Sequence, residues 1–233
     1  MRKARDLFER MWWRLVKLGF HLLYNELAWT YDAVSWLASL GQWRAWQRAA
    51  LPYVHGRRVL ELAHGPGHML LALAESGRDV VGVDLSPFMG RMARRRLRRT
   101  GATAALVRGR AQSLPFADGS FDSVLSTFPT AFIAEEATMK AVHRVLRPGG
   151  RLVVVPEGHL ENRGLLPRFV NWLYVITGQR QGTFTVDDEQ YWPAANSPVW
   201  IAYRQAMEAA GFRLNVERVR LARGGASIVI ASK

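Results

Sequence analysis

The sequence contains no cysteine. This excludes disulfide cross-links, thiolate nucleophiles and cysteine-ligated metals, and it leaves the redox compartment open. Long apolar runs are missing as well. No stretch reaches the roughly 18 consecutive hydrophobic residues that a spanning helix needs, so none is expected. The first residues lack a short apolar segment followed by a small-residue cleavage site, which argues against secretion and for a cytoplasmic protein. Acidic residues are scarce: 19 Asp and Glu face 32 Lys and Arg, for a formal net charge of +13. The shortage is sharpest between residues 91 and 110, which hold eight arginines (Arg91, Arg94, Arg95, Arg96, Arg98, Arg99, Arg108, Arg110) and no acid. An anionic partner, bilayer headgroups or nucleic acid, fits such a surface, and so does a solvated helix face. Against these shortages, 49% hydrophobic and 22% charged residues mark a folded globular chain. Its 233 residues suffice for one domain with a sizeable core.

Residues 1–50 read as amphipathic or lid helices. Phe8, Met11, Trp12, Leu15, Leu18 and Leu22 recur at three- and four-residue spacing, flanked by Arg2, Lys3, Arg5, Arg10, Arg14 and Lys17. Six of the nine tryptophans fall in this part, including Trp36, Trp43 and Trp46. A basic, tryptophan-bearing amphipathic helix can lie in a membrane interface, and residues 2–24 are expected to do so. Residues 26–50 are expected to cover the following domain as a lid.

The stretch Val59-Leu60-Glu61-Leu62-Ala63-His64-Gly65-Pro66-Gly67-His68 organises that domain. A strand over 58–63 ends at a turn of small residues, and Met69 to Ala74 are good helix formers. Strand, glycine turn and helix is the layout that presents backbone N–H groups to a ligand lying against the main chain. Asp79 to Val83 form the next strand, and Asp84 at its end is placed to accept hydrogen bonds from ribose hydroxyls. Ser86 and Pro87 supply an N-cap and a first helical residue, and that helix runs through the arginine cluster to Gly101. Further strands are predicted over 103–107, 121–127 and 151–155, with a helix over 134–146 between the last two. An insert rich in Trp, Tyr, Pro and Gly occupies 157–200. A helix over 198–210 and a hairpin of strands 212–220 and 226–231 close the chain. Alternating strands and helices predict an α/β fold, a Rossmann-like doubly wound sheet over 51–233. The sheet is mostly parallel with an antiparallel C-terminal strand, and the N-terminal helices are added to it.

In order, Glu61-Leu62-Ala63-His64-Gly65-Pro66-Gly67, Val83-Asp84-Leu85-Ser86, Ser113-Leu114-Pro115-Phe116, Ser120-Phe121-Asp122-Ser123-Val124 and Arg144-Val145-Leu146-Arg147-Pro148-Gly149-Gly150 resemble the motifs of class I S-adenosylmethionine-dependent methyltransferases. Leu70 at the third glycine position of the dehydrogenase fingerprint argues against NAD. Tyr31-Asp32 with Leu40-Gly41-Gln42-Trp43-Arg44-Ala45-Trp46 is similar to the ubiquinone and menaquinone C-methyltransferase branch, and the phospholipid N-methyltransferases are similar over the same stretches.

The resemblance implies S-adenosyl-L-methionine as cofactor, no metal, and a small lipophilic acceptor. It implies Glu61, Ala63, Gly65, Gly67, Asp84, Leu85, Ala111, Gln112 and Thr127 as the cofactor cradle. Phe128 would lie beside Thr127 on the methyl-donor side, and Tyr31 would close over the active site as a catalytic residue. Ala63 replaces the family's usual first glycine. Arg110 stands where an aspartate commonly accepts from the adenine amino group; arginine has no acceptor, so it could stack on the adenine or the adenine site is altered. A nucleic-acid methyltransferase is a less favoured alternative, because Thr127-Phe128-Pro129-Thr130 lacks the Asn/Asp-Pro-Pro-aromatic tetrapeptide of base-methylating enzymes. A non-catalytic protein that kept the fold is another.

Overall fold

The structure is a computed structural model and describes residues 30–161 and 198–233, with the isolated positions Met11 and Gly19. The amphipathic helix expected over 2–24 and most of the insert expected over 157–200 lie outside the described residues.

Helices α1 (Tyr31–Ser39) and α2 (Trp43–Arg48) precede β1 (Arg58–Leu62), α3 (His68–Glu75), β2 (Asp79–Asp84) and α4 (Pro87–Thr100). Then come β3 (Ala105–Arg108), β4 (Phe121–Thr127), α5 (Glu136–Val145), β5 (Leu146–Leu160), α6 (Pro198–Ala209), β6 (Arg213–Leu221) and β7 (Gly224–Ser232). The caps of α4 show how local sequence sets these limits. Ser86 Oγ accepts from Met89 N at 3.3 Å, Pro87 takes the first turn, and Gly101 ends the helix at φ 71°. Arg98 and Arg99 in its last turn oppose the helix dipole.

The seven strands form one sheet in the order β3-β2-β1-β4-β5-β7-β6. Strands β1 to β5 pair in parallel, and β7 runs antiparallel to both β5 and β6. Leu221 pairs with Gly224, so two residues turn the last hairpin. β5 is longer than the apolar run 151–155 suggests. It begins at Leu146 opposite Phe121, and residues 157–160 extend it against β7 after a register shift. The tetrapeptide Glu157-Gly158-His159-Leu160 is thus strand, although it reads as the start of the insert. The ladder with Gly224–Ser227 supplies the hydrogen bonds that hold it. The helix expected over 134–146 is split by Glu135 into a 3-10 turn, Ala131–Ala134, and α5.

Alternation along the central strands divides the core in two. Leu60, Leu62, Val124, Leu152 and Val154 pack with Met139, Val142, Trp200, Tyr203 and Met207. On the other face Val59, Leu125, Val153 and Val155 pack with Met69, Leu70, Leu73, Ala93 and Trp46. Glu61 shares the parity of Val59, which puts a carboxylate among the residues of this second layer. The strand order reverses between β1 and β4, so a crevice opens beyond their C-terminal ends, the place where ligands of doubly wound sheets bind.

Candidate cofactor and acceptor site

The turn after β1 forms the floor of the crevice. Ala63, Gly65 and Gly67 all adopt left-handed backbones, at φ 50°, 54° and 81°. For Ala63 that conformation costs about 1–2 kcal/mol, and its N–H is fixed to Val83 O at 2.8 Å. The two glycines serve different ends. A Cβ on Gly65 would meet no heavy atom within 4 Å, so its face is open to a ligand. A Cβ on Gly67 would come 2.7 Å from Ala93 Cβ, so this glycine lets α3 and α4 approach.

Asp84 closes one side of the turn. Its Oδ2 accepts from Gly65 N at 2.9 Å and its Oδ1 from Ser86 N at 2.8 Å. A carboxylate offers about four lone-pair sites, so both oxygens keep capacity for a ligand. Glu61 lies beneath, 1% exposed, with Oε2 buried and unpartnered. Burial, reinforced by the charge of Asp84, pushes its pKa well above the ordinary carboxylate value, against a hydrogen bond from the Leu70 backbone. A buried carboxyl in this state takes a proton or a cationic ligand. His64 is structural. Its ring is buried over Gly82, where a Cβ would come 2.8 Å from its Cδ2, and its Nδ1 lies 2.8 Å from Gly65 O. Burial depresses its pKa.

Helix α1 is fastened to this floor by charge. His68 Nε2, at the start of α3, lies 2.7 Å from Asp32 Oδ1, and Arg96 donates to Asp32 Oδ2 at 2.6 Å. Arg96 also donates to Pro66 O. The hydrogen bond from His68, helped by the charges of His68 and Arg96, holds Asp32 at about 2 against the opposing effect of burial. Arg96 therefore turns inward, while Arg91, Arg94, Arg95, Arg98 and Arg99 are exposed. Composition did not distinguish this arginine from its neighbours.

On the β2–β3 side, Gly109 N donates to Asp84 O at 3.1 Å and Arg108 Nε to Leu85 O at 3.2 Å. Leu85 is exposed, Ala111 is half-buried, and Gln112 donates to Glu135 Oε2 at 2.7 Å. The Arg110 side chain is exposed.

The β4 side is aromatic. Thr127 ends the strand, and Phe128 follows at φ 51° with its N–H on Val155 O at 2.7 Å. Trp43 stacks on Phe128 with centroids 4.0 Å apart, and Trp46 meets Phe128 edge-on at 6.2 Å. Tyr31 meets Trp43 edge-on at 6.4 Å, so α1 and α2 bring it to the same wall. Gln47 Nε2 donates to Thr127 Oγ1 at 3.0 Å, a contact with no signal in the sequence. A separate hollow of about 600 Å³ near the N-terminal end of β4 is lined by Lys140, His143, Arg144 and Lys233. Its arginine and the C-terminal lysine are engaged within the protein, Arg144 on Asp118 and the carbonyls of Leu114 and Phe116, Lys233 on those of His143 and Leu146. Among the described residues, no group of three or more His, Asp or Glu could hold a metal ion, and no helix is long and apolar enough to cross a membrane.

Open glycine floor, strand-end acid and buried unpaired carboxylate fit a nucleoside bearing an ammonium group, as S-adenosylmethionine does. A family model described as a methyltransferase domain matches residues 59–150. The chain belongs to the class I S-adenosylmethionine-dependent methyltransferases and is an enzyme of that class. Its relatives include the demethylmenaquinone methyltransferase of Thermus thermophilus, 34% identical over 84% of this chain and 93% of that one. The demethylmenaquinone methyltransferase of Beutenbergia cavernae is 42% identical over 57% of this chain and 55% of its own length. Among solved structures, a SAM-dependent methyltransferase of Methanosarcina mazei shares the fold at 24% identity and a TM-score of 0.54, covering 79% of this chain and 96% of that one.

Proposed function

We propose that this methyltransferase acts on a lipophilic hydroquinone, a precursor of a membrane quinone, and methylates a ring carbon. The observation that carries the acceptor is the aromatic wall of Tyr31, Trp43, Trp46 and Phe128 beside Thr127. Flat aromatic faces suit a flat ring. The names of the relatives support the same class of acceptor.

In this reading Glu61 takes the ammonium of the methionine end. Ala63, Gly65 and Gly67 lie under the cofactor, Asp84 holds the ribose, Leu85, Ala111 and Gln112 border the adenine, and Thr127 faces the methyl group. Bound S-adenosylmethionine supplies a methyl group on a sulfonium. The protein contributes position and the exclusion of water, which together account for a large share of the rate in a displacement of this kind. With the cofactor bound, a carbon–carbon bond would form as the carbon–sulfur bond breaks, S-adenosylhomocysteine would leave as a neutral thioether, and the ring carbon would lose its proton to water. Tyr31 closes the site over the ring. The exposed Arg91, Arg94, Arg95, Arg98 and Arg99 on α4, with exposed Val34, Trp36 and Leu37 on α1, favour docking to an anionic bilayer where such an acceptor resides. Co-sedimentation with anionic vesicles is the check on that docking, and no binding would remove it.

The direct test is methyl transfer from labelled S-adenosylmethionine to a short-chain 2-prenyl-1,4-naphthohydroquinone kept reduced, with the product located by mass spectrometry. Label on a ring carbon supports the reading, and label on oxygen or none overturns it. Asp84→Ala is expected to weaken S-adenosylmethionine binding by more than about tenfold in calorimetry, since it deletes charge-assisted hydrogen bonds. Unchanged affinity would remove Asp84 from the site.

A further inference from the structure

We propose that Gln47, together with Trp43, is the subsite that reads a ring hydroxyl of the acceptor and so selects hydroquinones and sets which carbon meets the methyl donor. This rests on the acceptor proposed above.

The argument starts from unpaired atoms. Gln47 Nε2 is bound to Thr127 Oγ1, yet Gln47 Oε1 is buried with no partner, and so is Trp43 Nε1. Each buried polar atom left so costs about 1–3 kcal/mol. Residues 43 and 47 stand one turn apart on α2, so they share a face of the helix. That face meets the end of β4: Trp43 stacks on Phe128 and Gln47 bonds Thr127. A donor and an acceptor are thus left over beside the aromatic wall. A hydroxyl is the ring substituent that can accept from the indole N–H and donate to the amide oxygen at once. With Nε2 on Thr127, the amide oxygen is the head left for the ligand. An ether has no proton to give the amide oxygen, and an ammonium has no lone pair to accept from the indole, so the same atoms disfavour an O-alkylated ring and a phospholipid ammonium headgroup.

Trp46 makes the wall rigid. It is 1% exposed, and a Cβ at Gly158 would come 2.2 Å from its ring, so β5 is shaped to receive it. With the ring stacked and its hydroxyl held by Gln47, the neighbouring carbon is presented to one direction. The amide oxygen accepting from the hydroxyl also leaves more electron density on that ring. Gln47 accordingly acts in binding and orientation, and it requires no change of its own protonation state.

The test is a cycle between the protein and the probe. Turnover of the short-chain 2-prenyl-1,4-naphthohydroquinone and of its two monomethyl ethers is compared in the wild type, Gln47→Leu, Gln47→Glu and Trp43→Phe. For the wild type, blocking one hydroxyl is expected to lower kcat/KM by about tenfold or more, the loss of one buried hydrogen bond. Gln47→Leu should show a similar loss on the hydroquinone, mainly in KM, and should no longer discriminate against that ether. Gln47→Glu, which keeps an acceptor, should retain most of the discrimination. Calorimetric affinity for S-adenosylmethionine should match the wild type in every variant that folds. If Gln47→Leu does not fold, Gln47→Glu and Trp43→Phe carry the comparison. Additive losses, or a Gln47→Leu enzyme that still discriminates, would overturn the inference while leaving the acceptor class standing, and would mean that a bound water satisfies the pair. A wild type that methylates none of the probes would instead sink the acceptor itself and the inference with it.

Discussion

Asp32→Asn is expected to loosen the lid without touching the cofactor floor. The carboxylate takes a hydrogen bond from His68 at 2.7 Å and another from Arg96 at 2.6 Å, and both are lost or weakened in the neutral amide. A fall of the Asp32 pKa from 3.8 to about 2 caps its contribution at about 2.5 kcal/mol. More than a third of the side chain meets solvent, so screening brings the expected loss nearer to about 1 kcal/mol. For a domain of this size that is a drop of about 2–4 °C in melting temperature. The pH dependence has a definite sign. A depressed carboxylate stabilises the fold fully above 3.8 and loses that contribution as pH falls through about 2. From the carboxylate alone, the gap between wild type and Asp32→Asn is constant above about pH 4 and closes below it. Thermal melts monitored by circular dichroism from pH 7 to pH 2 measure this. A gap absent at pH 7, or one that persists undiminished at pH 2, would refute the assignment of the clasp. Burial depresses His68 while Asp32 raises it, so without Asp32 its protonation penalises the folded state more, and this widens the gap between neutrality and about pH 4 before the carboxylate closes it.

Gly65→Ala and Gly67→Ala should part company. At Gly65 the added methyl meets no protein atom within 4 Å, so the fold should lose about 1 kcal/mol for the left-handed backbone while S-adenosylmethionine binding by calorimetry falls further. At Gly67 the methyl strikes Ala93, and chemical denaturation should show a loss of more than about 2 kcal/mol. Glu61, whose pKa burial raises well above the ordinary carboxylate value, should release a proton when it meets the ammonium of the cofactor. Calorimetry in buffers of different ionisation enthalpy should detect that release in wild type and not in Glu61→Gln, and binding should tighten as pH rises.

The scaffold was legible from local signals that the tertiary structure did not override. Ser86, Pro87 and Gly101 delimit α4 as their capping chemistry requires, and Asp84 sits against Gly65 because strand β2 lies beside β1. The candidate site was legible where it follows the strand ends. It was not legible where contacts are long in sequence: Gln47 reaches Thr127 across 80 positions, and Arg96 reaches Asp32 across 64. Periodicity marks both residues merely as polar helix positions. The extension of β5 through 157–160 was hidden for a like reason, since its partner lies in β7, at the other end of the chain.

Ala63 and Phe128 are two non-glycine residues in left-handed backbone, one at the end of each central strand flanking the crevice. Each is nailed to the neighbouring strand by a short N–H to carbonyl bond, to Val83 and to Val155. Such over-determined corners yield little, so the bottom of the chamber is a fixed die. What gives way when a bulky guest enters is then the helical roof, and the clasp that Asp32 throws across to His68 and Arg96 helps to set how readily α1 lifts.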